Sequence, residues 1–286
     1  MGSGTGRDGM NDPALPAPRP TGRSVTGRIR SLGKGCKAYI DPASMDEIPL
    51  DDGRVLGREN IQAFIVGLAV DYLSRYDQGS PVQEAFGIPL MGGSLSGRTD
   101  EVLGYLSGIR GLDDASIASA CRACLFDSYY REGRPPRLEP SEVSPDSATC
   151  ENIRAMVGRS REFFRRFGPV TVTGPTFDGG YTDVVSSGDG DFLTEHTIWD
   201  FKVSKSPPKR DQTLQLAMYY IMGKHSCLNC FDSVRNIGIF NPRLNSVYLL
   251  SMGSVPKDVI REIETDVIGY RPWQLSSPSR DERSRF

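Results

Sequence analysis

Asp200 and Lys202 stand two residues apart in HTIWDFKV (196–203), a run of β-branched and aromatic residues that reads as a strand. Alternation along a strand sends both side chains to one face and turns Phe201, between them, into the core. Asp183 closes GYTD (180–183), at the head of YTDVVSS (181–187), which reads as the preceding strand. A hairpin between the two runs would lay its carboxylate beside that of Asp200. Two carboxylates and an ammonium in one cleft make a hard-cation site with a positive charge next to it, and oxygen ligands suit Mg²⁺ or Mn²⁺. Such a cation activates a water, neutralises a phosphodiester and steadies a leaving oxygen. Lys202 would orient the water or stabilise charge developing on phosphorus. A lone Asp-x-Lys is more often an exposed cross-strand ion pair, so its surroundings must carry the stronger reading.

Those surroundings read as an ordered series of elements. Residues 151–167 place Ile153, Met156, Val157, Phe163, Phe164 and Phe167 on one helical stripe, stopped by Gly168-Pro169. VTVTGPT (170–176) is β-rich, FDGG (177–180) and SGDGD (187–191) are turns, and Pro207-Pro208 breaks the chain after the Asp200 strand. A helix follows over 210–223, then strands over 233–241 and 245–252 as a hairpin, then a short helix over 256–268. The order predicts an α/β sandwich and not a doubly wound sheet. Upstream, 58–76 reads as a well-buried helix through Ile61, Phe64, Ile65, Leu68, Tyr72 and Leu73. Residues 112–130 read as a helix capped by Asp113 or Asp114, and a Pro-rich loop follows over 133–147.

Taken together, GYTD (180–183), WDFKVSK (199–205) with its second lysine, QLAMY (215–219) and the element order over 151–252 resemble the RecB-like branch of the PD-(D/E)XK nucleases. The resemblance implies an α/β, restriction-endonuclease-like core, a central mixed sheet flanked by helices, with an N-terminal helical insertion. It implies that Asp183 and Asp200 ligate Mg²⁺ or Mn²⁺ with help from the Phe201 backbone carbonyl, and that Lys202 is the catalytic lysine. Gln215 and Tyr219, four apart and so on one helix face with Gln212, would line the site or contact substrate together with Lys205. The family also carries a Glu or His on an earlier helix. Glu59, Glu151 and Glu162 are candidates, and Glu59 matches that position best. The expected histidine is absent, since the chain has only His196 and His225.

The implied activity is metal-dependent hydrolysis of DNA, exonuclease-like, on single strands or duplex ends, in repair, recombination or defence. A restriction-type endonuclease on the same core and a catalytically inactive module that binds nucleic acid or protein are the alternatives. A third is a metal protein built on Cys121-x-x-Cys124 and Cys227-x-x-Cys230, which would hold zinc or an iron–sulfur cluster if the four thiolates met. Small buried thiols are the plainer reading of those cysteines.

A net charge of -2 means that any nucleic-acid surface must come from clustering of basic residues. Such clusters exist at Arg19, Arg23, Arg28, Arg30, Lys34 and Lys37, at Arg154, Arg159, Arg161, Arg165 and Arg166, and at Lys202, Lys205, Lys209 and Arg210. No apolar run is long enough to span a bilayer and no secretory pattern opens the chain, so no membrane partner and a cytoplasmic location are expected. The domain plan is a disordered leader over 1–20, a mainly helical part over 21–150, the nuclease core over 151–270 and a flexible tail over 271–286.

Overall fold

A computed structural model describes residues 22–33 and 39–275. The leader expected over 1–20, most of the expected tail, and Arg19, Lys34 and Lys37 of the first basic cluster lie outside the described residues. In chain order the elements are β1 (Arg23–Ser24), α1 (Val25–Ser31), β2 (Asp46–Pro49), α2 (Ala63–Asp77), α3 (Val82–Ala85), α4 (Gly87–Leu95), α5 (Thr99–Ser107), α6 (Asp114–Cys124), α7 (Asp127–Arg131) and α8 (Ser147–Phe167). Then come β3 (Val172–Thr173), β4 (Val185–Ser187), β5 (Phe192–Leu193), β6 (Thr197–Phe201), α9 (Arg210–His225), β7 (Asn236–Asn241), β8 (Ser246–Ser251), α10 (Lys257–Glu262) and α11 (Pro272–Leu275).

Six strands form one mixed sheet in the order β2-β8-β7-β6-β5-β3. β6 and β7 run parallel, which demands a crossover, and α9 supplies it; the other neighbours are antiparallel. The two faces of β6 explain the two covering helices. Trp199 and Phe201 face α8, where Phe163 stacks on Phe240 at 4.2 Å between centroids and meets Trp199 edge-on at 4.9 Å. Each such aromatic pair adds about 0.5–1.5 kcal/mol beyond the area it buries. Gly238 lies beneath the Trp199 ring, where any side chain would collide with it. On the opposite face Ile198 joins a core with Leu214, Met218 and Ile221 of α9. Asp200 and Lys202 continue that face past the apolar layer.

α8 is long enough to serve two cores. Asp146 caps its start by accepting from the Thr149 N–H at 2.8 Å. Its first half, with Ile153, Met156 and Val157, packs with α2 and α6 in a helical lobe. Its last turns carry Phe163, Phe164 and Phe167 under the sheet. α2 fills the lobe with Ile65, Val66, Ala69, Val70 and Leu73.

Several expected elements differ. The strand expected over 181–187 begins only at Val185, and it pairs in parallel with β1 outside the main sheet. The neighbour of β6 is instead β5, directly after the turn read at 187–191. Two residues are too few to show alternation; Phe192 opposite Trp199 and Leu193 opposite Ile198 hold it in place. The helix expected from 58 starts at Ala63, because the Asn60 side chain is tied to Thr149, Ser144 and Asp146. The helix expected over 112–130 is two, α6 and α7. β2, unforeseen, is one of the sheet's two edge strands, so part of 21–150 belongs to the sheet.

Candidate active site

The register of β5 against β6 decides which acids meet. Phe192 lies opposite Trp199, so Asp191 lies opposite Asp200 on the α9 face. Asp191 Oδ2 accepts from the Phe201 N–H at 2.6 Å, which fixes its carboxylate against the end of β6. The Asp200 side chain is 3% exposed and pairs through Oδ1 with Lys202 Nζ at 2.8 Å. Its other oxygen, Oδ2, is buried with no hydrogen-bond partner. Burial raises the Asp200 carboxyl, Lys202 lowers it and the neighbouring Asp191 raises it, which together leave it at about 7. For Lys202, burial favours the neutral amine, but Asp200 and Asp191 outweigh it and the pKa rises. Lys202 is therefore an ammonium, a donor and counter-charge and not a base.

α9 adds polar groups from above. Gln215 donates through Nε2 to the Tyr219 hydroxyl at 2.8 Å. Tyr219 stacks on Phe177 at 5.1 Å, and its pKa is raised, by burial first and then by Asp200, Asp191 and Asp189. It stays a phenol whose proton has no acceptor among the described residues. Gln215 and Tyr219 are thus brought to the Asp200 face; Gln212 turns instead to the helix start, accepting from the Lys209 N–H at 2.8 Å.

From the helical lobe, α2 presents Asp71. Its carboxyl is raised by burial, lowered by Arg75 and raised again by Asp191. Arg75 holds it through two contacts, at 2.9 and 3.1 Å. Behind it, the Tyr72 hydroxyl donates to Asp127, which also pairs with Arg131 at 2.9 Å. A groove of about 350 Å³ opens here, lined by Phe64, Gly67, Leu68, Phe201 and Val203 and by the acids Asp71, Asp127 and Glu132.

Three expected site residues lie elsewhere. Asp183 is not on a strand; its side chain is 84% exposed and pairs with Arg271 at 3.1 Å. It lines a separate hollow with Tyr181, Ser186 and Trp273. Glu59 is not on α2 and forms a buried pair with Arg243 at 2.7 Å. Lys205 lies past β6 and lines another cavity, with Arg54 and Arg243. The cysteine pairs do not meet either. Cys121 and Cys124 are buried in the helical core, whereas Cys230 packs against the sheet core and Cys227 is exposed. Burial pushes the Cys121 thiol up to about 12 and raises Cys124 as well, which disfavours the thiolates a metal needs.

The sequence reading missed Asp191 and Asp71. Gly188-x-x-Asp191 has the same spacing as Gly180-x-x-Asp183 and precedes the Asp200 strand more closely. Asp71 interrupts the apolar helix between Val70 and Tyr72, where an acid in a buried stripe requires a partner.

Among the described residues no group of three or more His, Cys, Asp or Glu side chains that could hold a metal ion is found. Asp191 and Asp200 nevertheless fit a hard cation. Both offer oxygen, and one buried oxygen lacks a partner. Mg²⁺ commonly takes one or two carboxylates and completes its shell with water and substrate. No helix among the described residues is long and apolar enough to cross a membrane. No family model matches the chain, and no curated protein and no solved structure matches it.

Proposed function

We propose that this chain is a metal-dependent nuclease that hydrolyses DNA phosphodiester bonds, with Asp191, Asp200 and Lys202 at its centre. The observation that carries the reading is the buried, unpartnered Asp200 oxygen beside a second carboxylate and an ammonium. A charged group left so is costly unless a ligand answers it, and such arrangements concentrate at functional sites. The order α8, β3, β5, β6, α9, β7 supports the restriction-endonuclease-like core that the motifs imply, with Asp191 taking the role first given to Asp183.

In this reading Asp191 and Asp200 hold Mg²⁺ or Mn²⁺. The ion, when bound, supplies an activated water and charge neutralisation at phosphorus. Lys202, kept protonated by its two acidic neighbours, donates to the scissile phosphate and offsets the charge that develops there. Tyr219, oriented by Gln215, offers its hydroxyl hydrogen to a substrate oxygen. Asp71, held by Arg75, adds negative charge on the helical side without joining the two ligands.

The test uses linear and circular, single- and double-stranded DNA, with RNA in parallel, in Mg²⁺, Mn²⁺ or EDTA. Cleavage of DNA that EDTA abolishes and that Lys202→Ala lowers by about 10²–10³ is expected. Equal behaviour of wild type, Lys202→Ala and Asp200→Asn on every substrate would remove the nuclease.

A further inference from the structure

We propose that the cavity between the β7–β8 turn and the segment after β6 binds a phosphate group of the nucleic-acid strand, away from the scissile bond. The nature of the strand rests on the nuclease reading; the anion site rests on the cavity itself. It measures about 530 Å³ and is lined by Arg54, Arg159, Lys205 and Arg243, with Asp51 and Asp52 as its acids.

The charges in its wall divide into two kinds. Arg159 is consumed internally, paired with Asp52 at 2.7 and 2.8 Å and donating to the Pro242 and Arg54 carbonyls. Arg243, whose side chain is 7% exposed, pairs with the buried Glu59 through Nη1, yet its Nη2 is buried and has no partner. The neighbouring Asn245, at φ 53, also has a buried oxygen without a partner. Arg54 and Lys205 are exposed and make no side-chain ion pair with any described residue. After the two internal pairs cancel, two free cations and a spare guanidinium nitrogen stand against Asp51 alone. A tetrahedral anion answers that set: acceptor oxygens for Arg243, charge for Arg54 and Lys205.

The cavity is tied mechanically to the catalytic strand. The Asn241 side chain donates to the Ser204 carbonyl at 2.9 Å and accepts from the Arg243 N–H at 3.0 Å. One side chain thus locks the segment between Lys202 and Lys205 to the turn that carries Arg243. Three residues of chain reach at most roughly 11 Å, or about three nucleotide rises at ~3.4 Å each. A strand whose scissile phosphate meets Lys202 can therefore seat a later phosphate beside Lys205.

The test is fluorescence anisotropy of short single-stranded oligodeoxynucleotides in EDTA, where cleavage is off. The probes carry a terminal phosphate or a terminal hydroxyl. The proteins are wild type and the Arg54→Ala/Lys205→Ala double variant, with circular dichroism to verify folding. The double variant is expected to bind about tenfold more weakly and to lower the slope of log affinity against log salt by about one to two. A preference of wild type for the terminal phosphate, lost in the double variant, assigns the site to a phosphomonoester; equal loss on both probes assigns it to an internal phosphodiester. Wild-type affinity in the double variant, or no binding by wild type, overturns the site. DNA binding lost in the double variant, with no cleavage by any form in the Mg²⁺ and Mn²⁺ assay, keeps the anion site and discards the nuclease.

Discussion

Gly180-x-x-Asp183 and Gly188-x-x-Asp191 share their spacing and lie eight residues apart, yet their acids meet opposite fates. Asp183 projects into solvent and pairs with Arg271. Asp191 accepts from the Phe201 N–H and pushes up the pKa of Asp200. The first segment is bound to other things. The Tyr270 hydroxyl donates to the Gly180 carbonyl, and the Thr182 hydroxyl donates to that of Ile268 at 2.5 Å. The second runs straight into β5 and inherits that strand's register. The lesson is that a motif's spacing allows a carboxylate to join a site, while strand pairing selects which one does.

The largest expected effect separates the two acids directly. Asp191→Asn should lower DNA cleavage at least about 10²-fold, on the scale seen when one electrostatic partner of a transition state is removed. Asp183→Asn should stay within a few-fold of wild type in the same assay. Reversal of that ranking would return the role to Asp183 and break the comparison.

Cation binding sharpens it without using activity. Mg²⁺ or Mn²⁺ at a hundred times its dissociation constant should stabilise wild type by about 2.7 kcal/mol. Asp183→Asn should retain that shift in thermal unfolding, and Asp191→Asn should lose most of it. A shift undiminished in Asp191→Asn would place the cation elsewhere.

Next in size are the two glycines. A Cβ on Gly180 would overlap the Met222 carbonyl oxygen, part of a helix backbone that cannot retreat. A Cβ on Gly188 would lie 2.8 Å from a methyl of the buried Val25, a side-chain contact and not a backbone one. Gly180→Ala should therefore cost about 1–3 kcal/mol by denaturant unfolding, and Gly188→Ala less.

Tyr181 links the segments. Its hydroxyl donates to the Gly188 carbonyl at 2.6 Å and accepts from the Phe177 N–H at 3.2 Å. Tyr181→Phe should cost about 1 kcal/mol and soften the approach to Asp191. Smallest of all, Asp183→Ala should change stability by under about 1 kcal/mol, because its pair with Arg271 is solvent-exposed on both sides.

Much of the frame was legible beforehand. The Asp200-x-Lys202 strand, the Gln215-x-x-x-Tyr219 helix and the β7–β8 hairpin depend on local alternation and helical spacing, and all three occur as elements. The same local rules failed where neighbours intervene. β5 is too short to carry a pattern, and Glu59 looked like the start of a helix until Arg243, far away in sequence, claimed it. The cysteine pairs have an attractive spacing, but it says nothing about the separation of two cores.

By itself, then, the sequence determined which residue types alternate onto one face, and so that Asp200 and Lys202 would stand side by side. Local sterics and periodicity suffice for that. Only the tertiary structure decided that Asp191 faces Asp200, that α2 brings Asp71 near, and that Asp183, Glu59 and the cysteines are spent elsewhere. Those outcomes hang on cross-strand register and on partners distant in sequence, whose contacts arise only when the cores close.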